Sequence, residues 1–248
     1  MNTILTYILV GFVAQLIDGA LGMAYGVSST TFLISVGVAP ALASASVHIS
    51  EMFTTAVSGL AHLKFGNVNH ALFRKLVVPG VVGGALGAYV LTAVPGEIIK
   101  PLLSLYLLAM GVRILFKSFR VVHASEIVVD GRLVPLAAIG GFSDAIGGGG
   151  WGPIVTTTLV AQGGTPRMVI GSVNLAEFFV TIAESLTFVL ALGSALTQHW
   201  EIIVGLLSGG MLAAPLAAYV CQKLPTRALM GLVGTVIVLL SLRTLYLL

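Results

Sequence analysis

Apolar residues run along this chain in eight long stretches, at about 4–37, 40–63, 74–94, 98–116, 133–161, 167–192, 200–221 and 227–247, separated by short polar breaks. Each stretch is near or above the roughly 20 residues an α-helix needs to cross a bilayer. The pattern occurs twice. Asp18-Gly19-Ala20-Leu21-Gly22-Met23-Ala24-Tyr25-Gly26 aligns without a gap on Asp144-Ala145-Ile146-Gly147-Gly148-Gly149-Gly150-Trp151-Gly152, 126 residues further on. The register then holds through Thr30/Thr156, Thr31/Thr157, Leu33/Leu159, Gly37/Gly163, Pro40/Pro166, Ser46/Ser172, Val47/Val173, Glu51/Glu177, Phe53/Phe179 and Thr55/Thr181. At an offset of 130 it resumes with Gly80/Gly210, Ala88-Tyr89-Val90/Ala218-Tyr219-Val220, Pro95/Pro225 and Arg113/Arg243. The expected organisation is one integral membrane domain: a first repeat over 1–116, a polar linker over 117–132 and a second repeat over 133–248.

The first stretch of each repeat is the unusual one, because glycines interrupt it at 18–26 and 144–152. Glycine disfavours helix by about 1 kcal/mol per residue relative to alanine. Two architectures fit such a break. Either the stretch crosses once with an unwound centre, or two half-helices form a re-entrant hairpin whose tip lies at mid-membrane. Basic residues discriminate between them. With eight full crossings, Lys and Arg divide 8 to 4 between the two sides. With hairpins, Lys64, Arg74, Lys75, Arg113, Lys117, Arg120, Arg132, Arg167, Lys223 and Arg227 oppose Lys100 and Arg243, which is 10 to 2. Positive charge concentrates on the cytoplasmic side, so the hairpin arrangement is preferred. It leaves three full spans per repeat, an odd number, and therefore inverts one repeat relative to the other. The expected fold is an all-α polytopic membrane protein of two inverted repeats, each a glycine-broken re-entrant hairpin plus three transmembrane helices. Eight spans in two parallel repeats is the alternative.

Composition agrees with this class. With 57% hydrophobic and 8% charged residues and a mean hydropathy of +1.07, a soluble globule is excluded. The net charge of +3 sits at loop edges and offers no nucleic-acid surface. A single cysteine, Cys221, rules out an intramolecular disulfide. The opening Met1-Asn2-Thr3-Ile4-Leu5 has no basic region, so the first stretch is expected to be retained rather than cleaved as a signal peptide.

The chemistry concentrates where the apolar pattern breaks. In the hairpin arrangement Gly22, Met23, Ala24, Tyr25 and Gly26 form one tip and Gly148, Gly149, Gly150, Trp151 and Gly152 the other, each opening a half-helix. Free backbone N–H groups at a helix start attract anions without any Lys or Arg. Ser46, Ser172 and Asn174 lie at a matching depth and are candidate partners of the same anion. Intramembrane acids are functional candidates by default. Asp18, Glu51, Asp144 and Glu177 are accordingly read as proton-coupling groups or as structural acids that accept the tip N–H groups. Glu184 has Ser58 as its repeat mate and is read as an interface residue. His48 and Glu51 have the i, i+3 spacing of two metal ligands, but the sequence alone points to no third, so no metal is expected. Gly141-Phe142-Ser143-Asp144-Ala145 only faintly matches a nucleophile elbow and has no neighbouring His, so no catalytic residue is assigned and an enzyme is not expected. No GxxxxGK[ST] motif is present to support ATP-driven pumping, and no cofactor is implied.

The paired Asp-(x3)-Gly-(x3)-Gly tips, the following helices with Ser46/Ser172 and Glu51/Glu177, and the basic linker together resemble the TauE/SafE family of membrane anion transporters. The resemblance spans essentially the whole chain. It implies an inner (plasma) membrane location and export of a small anion such as sulfite or an organosulfur oxyanion. From the residues, that anion is expected to bind where the two tips meet and to be exposed by alternating access. The expected partners are that anion and the lipid bilayer, and a homodimer is compatible with the pattern. A channel for a small neutral solute is the rival reading.

Overall fold

The computed structural model describes residues 3–21, 23–119, 129–223 and 226–248, apart from the side chains at 3, 19–21, 166, 215, 217–223 and 226–229. Gly22 of the first tip, linker residues 120–128 and Pro225 therefore lie outside the described residues, as do the side chains of Cys221, Tyr219, Lys223 and Arg227. The described chain is helical throughout: α1 (Thr3–Leu21), α2 (Tyr25–Ser35), α3 (Pro40–Lys64), α4 (His70–Ala93), α5 (Gly96–Ser118) and α6 (Leu133–Gly147) come first. A π-helical turn (Gly152–Thr156) then leads into α7 (Thr157–Ala161), followed by α8 (Pro166–Leu192), α9 (Ser194–Gln198), α10 (Trp200–Lys223) and α11 (Thr226–Tyr246). Among the described residues, α4, α5 and Arg167–Leu192 of α8 are long and apolar enough to cross a membrane. The similarly long α3 falls short in hydropathy, because Ser44, Ser46, His48, Ser50 and Glu51 lie along it.

Local chemistry sets the boundaries. Pro40 and Pro166, repeat mates, open α3 and α8, where a missing N–H has no consequence. Asn69 caps α4 by accepting from the amides of Ala71 and Leu72. The apolar stretches at 4–37 and 133–161 both break at their glycines. At the second break Gly148 takes φ +60° and Gly149 φ +145°, a left-handed path that other residues rarely follow.

Contacts between helices give their relative directions. Along α3 and α8, His48 meets Glu184 while Ser58 and Gly59 meet Asn174 and Leu175, so these helices are antiparallel. Along α5 and α11, Gly111 meets Ile237 and Val238, whereas Gly234 meets Leu115, and this pair is antiparallel as well. By contrast α4 runs parallel to α6, with Gly83 on Ala138 and Gly87 on Phe142, and parallel to α8, with Gly80 on Val180 and Gly84 on Glu184. The partners of Gly205 (Ile4, Tyr7, Ile8) and of Gly209 (Ile8, Phe12) make α1 parallel to α10. The glycines let these backbones approach closely, which is how helices associate where no hydrophobic effect separates them from lipid.

Gly83 and Gly231 give opposite expectations for the same change. Glycine to alanine inside a helix ordinarily stabilises by about 1 kcal/mol. At Gly231 a Cβ meets nothing within 4 Å, and Gly231→Ala should leave the melting temperature in detergent unchanged or slightly higher. At Gly83 the same atom would sit on the Ala138 carbonyl, so Gly83→Ala should lower it, overpacking costing about 1–3 kcal/mol.

Candidate functional site

Each broken helix is held by the aspartate before its break. Asp18 Oδ1 accepts from the backbone N–H of Ala24 (2.7 Å) and Tyr25 (3.2 Å). Its mate Asp144 Oδ1 accepts from Gly150 (2.5 Å) and Trp151 (2.9 Å). A carboxylate at a helix start satisfies orphan donors and meets the positive end of the dipole. The two tips then meet. An added Cβ on Gly26 would lie 2.6 Å from the Cα of Gly149, and Thr30 Oγ1 donates to the Gly148 carbonyl at 2.7 Å. Tyr25 and Trp151, the aromatic mates, are both fully buried. The Trp151 ring lies against Gly80 and Tyr25 against Gly210, mate against mate.

At this meeting point lies a small cavity bounded by Asp18, Met23, Ala24, Gly26, Val27, Glu51, Asp144, Gly149, Gly152, Pro153 and Glu177. All four predicted acids are brought together there, with residues of both tips. In this conformation there is room for about one water molecule, so the site is closed. Four N–H groups that could have served an anion, those of Ala24, Tyr25, Gly150 and Trp151, are taken by the two aspartates. Among the described residues, those of Gly26, Val27 and Gly152 open the following half-helices without such a partner.

The candidate hydroxyls do not line this cavity. Ser172 accepts from the Asn69 backbone amide (2.7 Å) and donates to the Met168 carbonyl (2.7 Å). Ser46 is fully buried and its Oγ has no hydrogen-bond partner among the described residues. Asn174 donates to Ser58 Oγ across the α3–α8 interface (2.8 Å).

Two features were not anticipated. His48, also fully buried, has Nε2 3.0 Å from Glu184 Oε2 and 3.6 Å from Asp144 Oδ2. Two acids from the other repeat, Asp144 of α6 and Glu184 of α8, thus meet at His48, and Glu51 is not among them. Secondly, Arg113 reaches Thr157 and Thr158 (3.2 Å each), and Lys117 reaches the Met23 sulfur (3.5 Å). Arg113, Lys117, Met110 and Thr157 line an open cavity of about 620 Å³ between α5 and α7. Its Lys117 touches Met23, which also bounds the tip cavity. Long side chains thus carry positive charge well inward of their Cα atoms. Arg243, mate of Arg113, donates to the Ser35 carbonyl at the end of α2 (2.6 Å).

A helical membrane domain with broken helices meeting at a buried polar centre is the architecture of a membrane transporter. The model of the family described as Sulfite exporter TauE/SafE matches residues 7–244, and the chain belongs to that family. It is 42% identical over 251 residues to the "Probable membrane transporter protein YtnM" of Bacillus subtilis (strain 168), an alignment covering 99% of this chain and 83% of that relative. No solved structure matches. The protein is a multi-pass membrane transporter of the plasma membrane, and its relatives are transporters, not enzymes.

Asp18 offers a test of the capping role without touching the His48 cluster. Asp18→Ala should destabilise the protein by about 2–4 kcal/mol, two charge-assisted hydrogen bonds being lost. Asp18→Asn keeps an acceptor at Oδ1 and should recover at least half of that in thermal unfolding.

Proposed function

We propose that this chain is a secondary transporter exporting a small anion, of the sulfite or organosulfur oxyanion class, through two inverted repeats whose re-entrant tips form a central gate. The observation that carries this reading is the contact of Gly26 with Gly148 and Gly149 beside a cation-lined cavity. Inversion is supported by repeat mates that pack antiparallel, α3 on α8 and α5 on α11. Re-entry is supported by direction. The helix α10 follows α8 after the short α9 and runs back along α3, so α1, parallel to α10, points the same way as α3. The intervening α2 must return.

The route follows from charge. Arg113 and Lys117 attract an anion into the cavity on the linker side. From there Lys117 and Met23 lead to the tips, where the amides of Gly26, Val27 and Gly152 offer donors. The repeats move against one another to expose the tips to the other side. Export from a cell that is negative inside gains about 2.3 kcal/mol per charge per 100 mV, so the membrane potential favours this direction.

Purified protein in liposomes, held at a set potential, should carry sulfite or sulfoacetate with a current. Flux of neutral solutes without current would favour the channel reading instead. Lys117→Gln should raise the apparent KM about tenfold with little change in maximal rate, because it weakens collection of the anion, not the gate. Gly149→Ala should abolish flux while Gly231→Ala preserves it, since a Cβ on Gly149 would strike the Val27 amide.

Topology is tested with cysteines at exposed positions in a Cys221→Ser background. Phe119→Cys and Leu247→Cys should label from opposite sides of the membrane with an impermeant thiol reagent. Labelling of both from one side would mean parallel repeats.

A further inference from the structure

We propose that His48, Glu184 and Asp144 form a buried proton-binding site, present in one half of the molecule only, that couples proton movement to the gate; this rests on the transport reading above. The hydrogen-bond inventory demands the proton. His48 Nδ1 lies 2.8 Å from the Ser44 carbonyl, which only accepts. Ser44 Oγ, 3.2 Å away, already donates to the Ala145 carbonyl (2.5 Å), so Nδ1 carries a hydrogen. In the neutral ring the lone pair of Nε2 would then face Glu184 Oε2 at 3.0 Å and Asp144 Oδ2 at 3.6 Å, acceptor against acceptors. A proton between them turns repulsion into a charge-assisted contact.

Burial makes that proton necessary and exchangeable. His48 and Glu184 are 0% exposed and Asp144 1%. Apart from His48, neither Glu184 oxygen nor Asp144 Oδ2 has a hydrogen-bond partner among the described residues. With a neutral ring and both acids ionised, the cluster would hold two negative charges out of water. Imidazolium leaves one, and a second proton leaves none. Among the described residues no Lys or Arg contacts the cluster, Arg113 lying beyond Tyr106. Phe188 of α8 stacks on the imidazole at 5.9 Å, and α4 presents Gly84, on which the Glu184 carboxyl rests. The other titratable groups facing the cluster are Glu51 of α3, Glu177 of α8, Asp18 of α1 and the Tyr106 hydroxyl of α5, none of them cationic. Glu51 and Glu177 line the tip cavity together with Asp144, which also caps the second tip through Oδ1. A proton held between His48 and Glu184 therefore acts 3.6 Å from the Oδ2 of the residue that holds that tip closed.

The other half shows what the site looks like without its charge. The mates of His48 and Glu184 are Asn174 and Ser58, and these two are also in contact, at 2.8 Å. The same cross-repeat pairing is thus neutral and non-titrating in one half and ionisable in the other.

That mirror supplies the variant. His48→Asn combined with Glu184→Ser installs the Asn–Ser pair that the fold already accommodates at 174 and 58. In liposomes, the wild type should change its anion flux up to about tenfold per pH unit on the steep limb, as for one coupled proton, and should acidify or alkalise the lumen with the anion. The double variant should keep downhill anion flux with a flat pH profile and no proton movement. An unchanged pH profile in the double variant would overturn the proposal. A readout without any anion separates this from failure of the transport reading. In purified wild type, the ring-nitrogen resonances of labelled His48 should change with pH together with a carboxylic-acid infrared band that Glu184→Gln removes. No such coupled change, or a stoichiometric metal ion bound in the purified protein, would equally overturn it.

Discussion

Two aspartates hold the centre of this molecule together. A glycine-broken helix inside a membrane leaves backbone N–H groups that no water reaches, and each such group costs several kcal/mol if left unmet. Asp18 and Asp144 each meet two of them through one oxygen. The broken helices can end at the core only because the acid just before each break bends back over the start of the next half-helix. Everything that meets there, Gly26 on Gly149, Thr30 on the Gly148 carbonyl and the closed cavity between, is placed by those four hydrogen bonds. Arg113 and Arg243 tie the second half-helices to α5 and α11, so each is held by an aspartate at its start and by an arginine further along.

Much of this was legible because duplication marks special positions twice. The breaks at 18–26 and 144–152, the aromatic mates Tyr25 and Trp151, the Pro40 and Pro166 helix starts and the four acids all stand out in register, and the structure gathers the acids around one cavity. What the one-dimensional pattern hides is contact between repeats. Ser172 shares a register with Ser46 yet serves the Asn69 amide, because its helix packs against the start of α4 at that level. Arg113 and Lys117 sit near the polar end of α5 in sequence, and only the fold shows their side chains lying along α7 and reaching Met23. Glu184 reads from the sequence as an interface residue without an acidic mate. It becomes a partner of His48 once α3 and α8 are known to run antiparallel, and the two departures from internal symmetry, His48 against Asn174 and Glu184 against Ser58, turn out to be one departure seen from both helices.

The glycines divide into two kinds on the same evidence. Gly83, Gly87, Gly141, Gly205 and Gly209 bring parallel helices together, and their replacement would push backbones apart. Gly148 and Gly149 instead carry a backbone path with positive φ that passes the opposite tip within contact distance. Packing glycines set the distance between the halves, whereas tip glycines form the surface along which one half touches the other. A gate needs both, since the first kind keeps the helices rigid enough for a small movement at the second to open a path.

Four carboxylates around the place where an anion must pass pose an electrostatic problem. Asp18 and Asp144 direct charge at backbone N–H groups, and those contacts absorb part of it. Glu51 and Glu177 have no such sink, and an ionised pair beside an anion in a low-dielectric cavity would repel it strongly. Passage is compatible with this ring only when protons are present on it, or when the tips separate enough to admit water. Both conditions point to the same control. On the proposed route, protonation near the tips lowers the barrier to the anion, so the step that makes the cavity electrostatically tolerable is the step that lets it open.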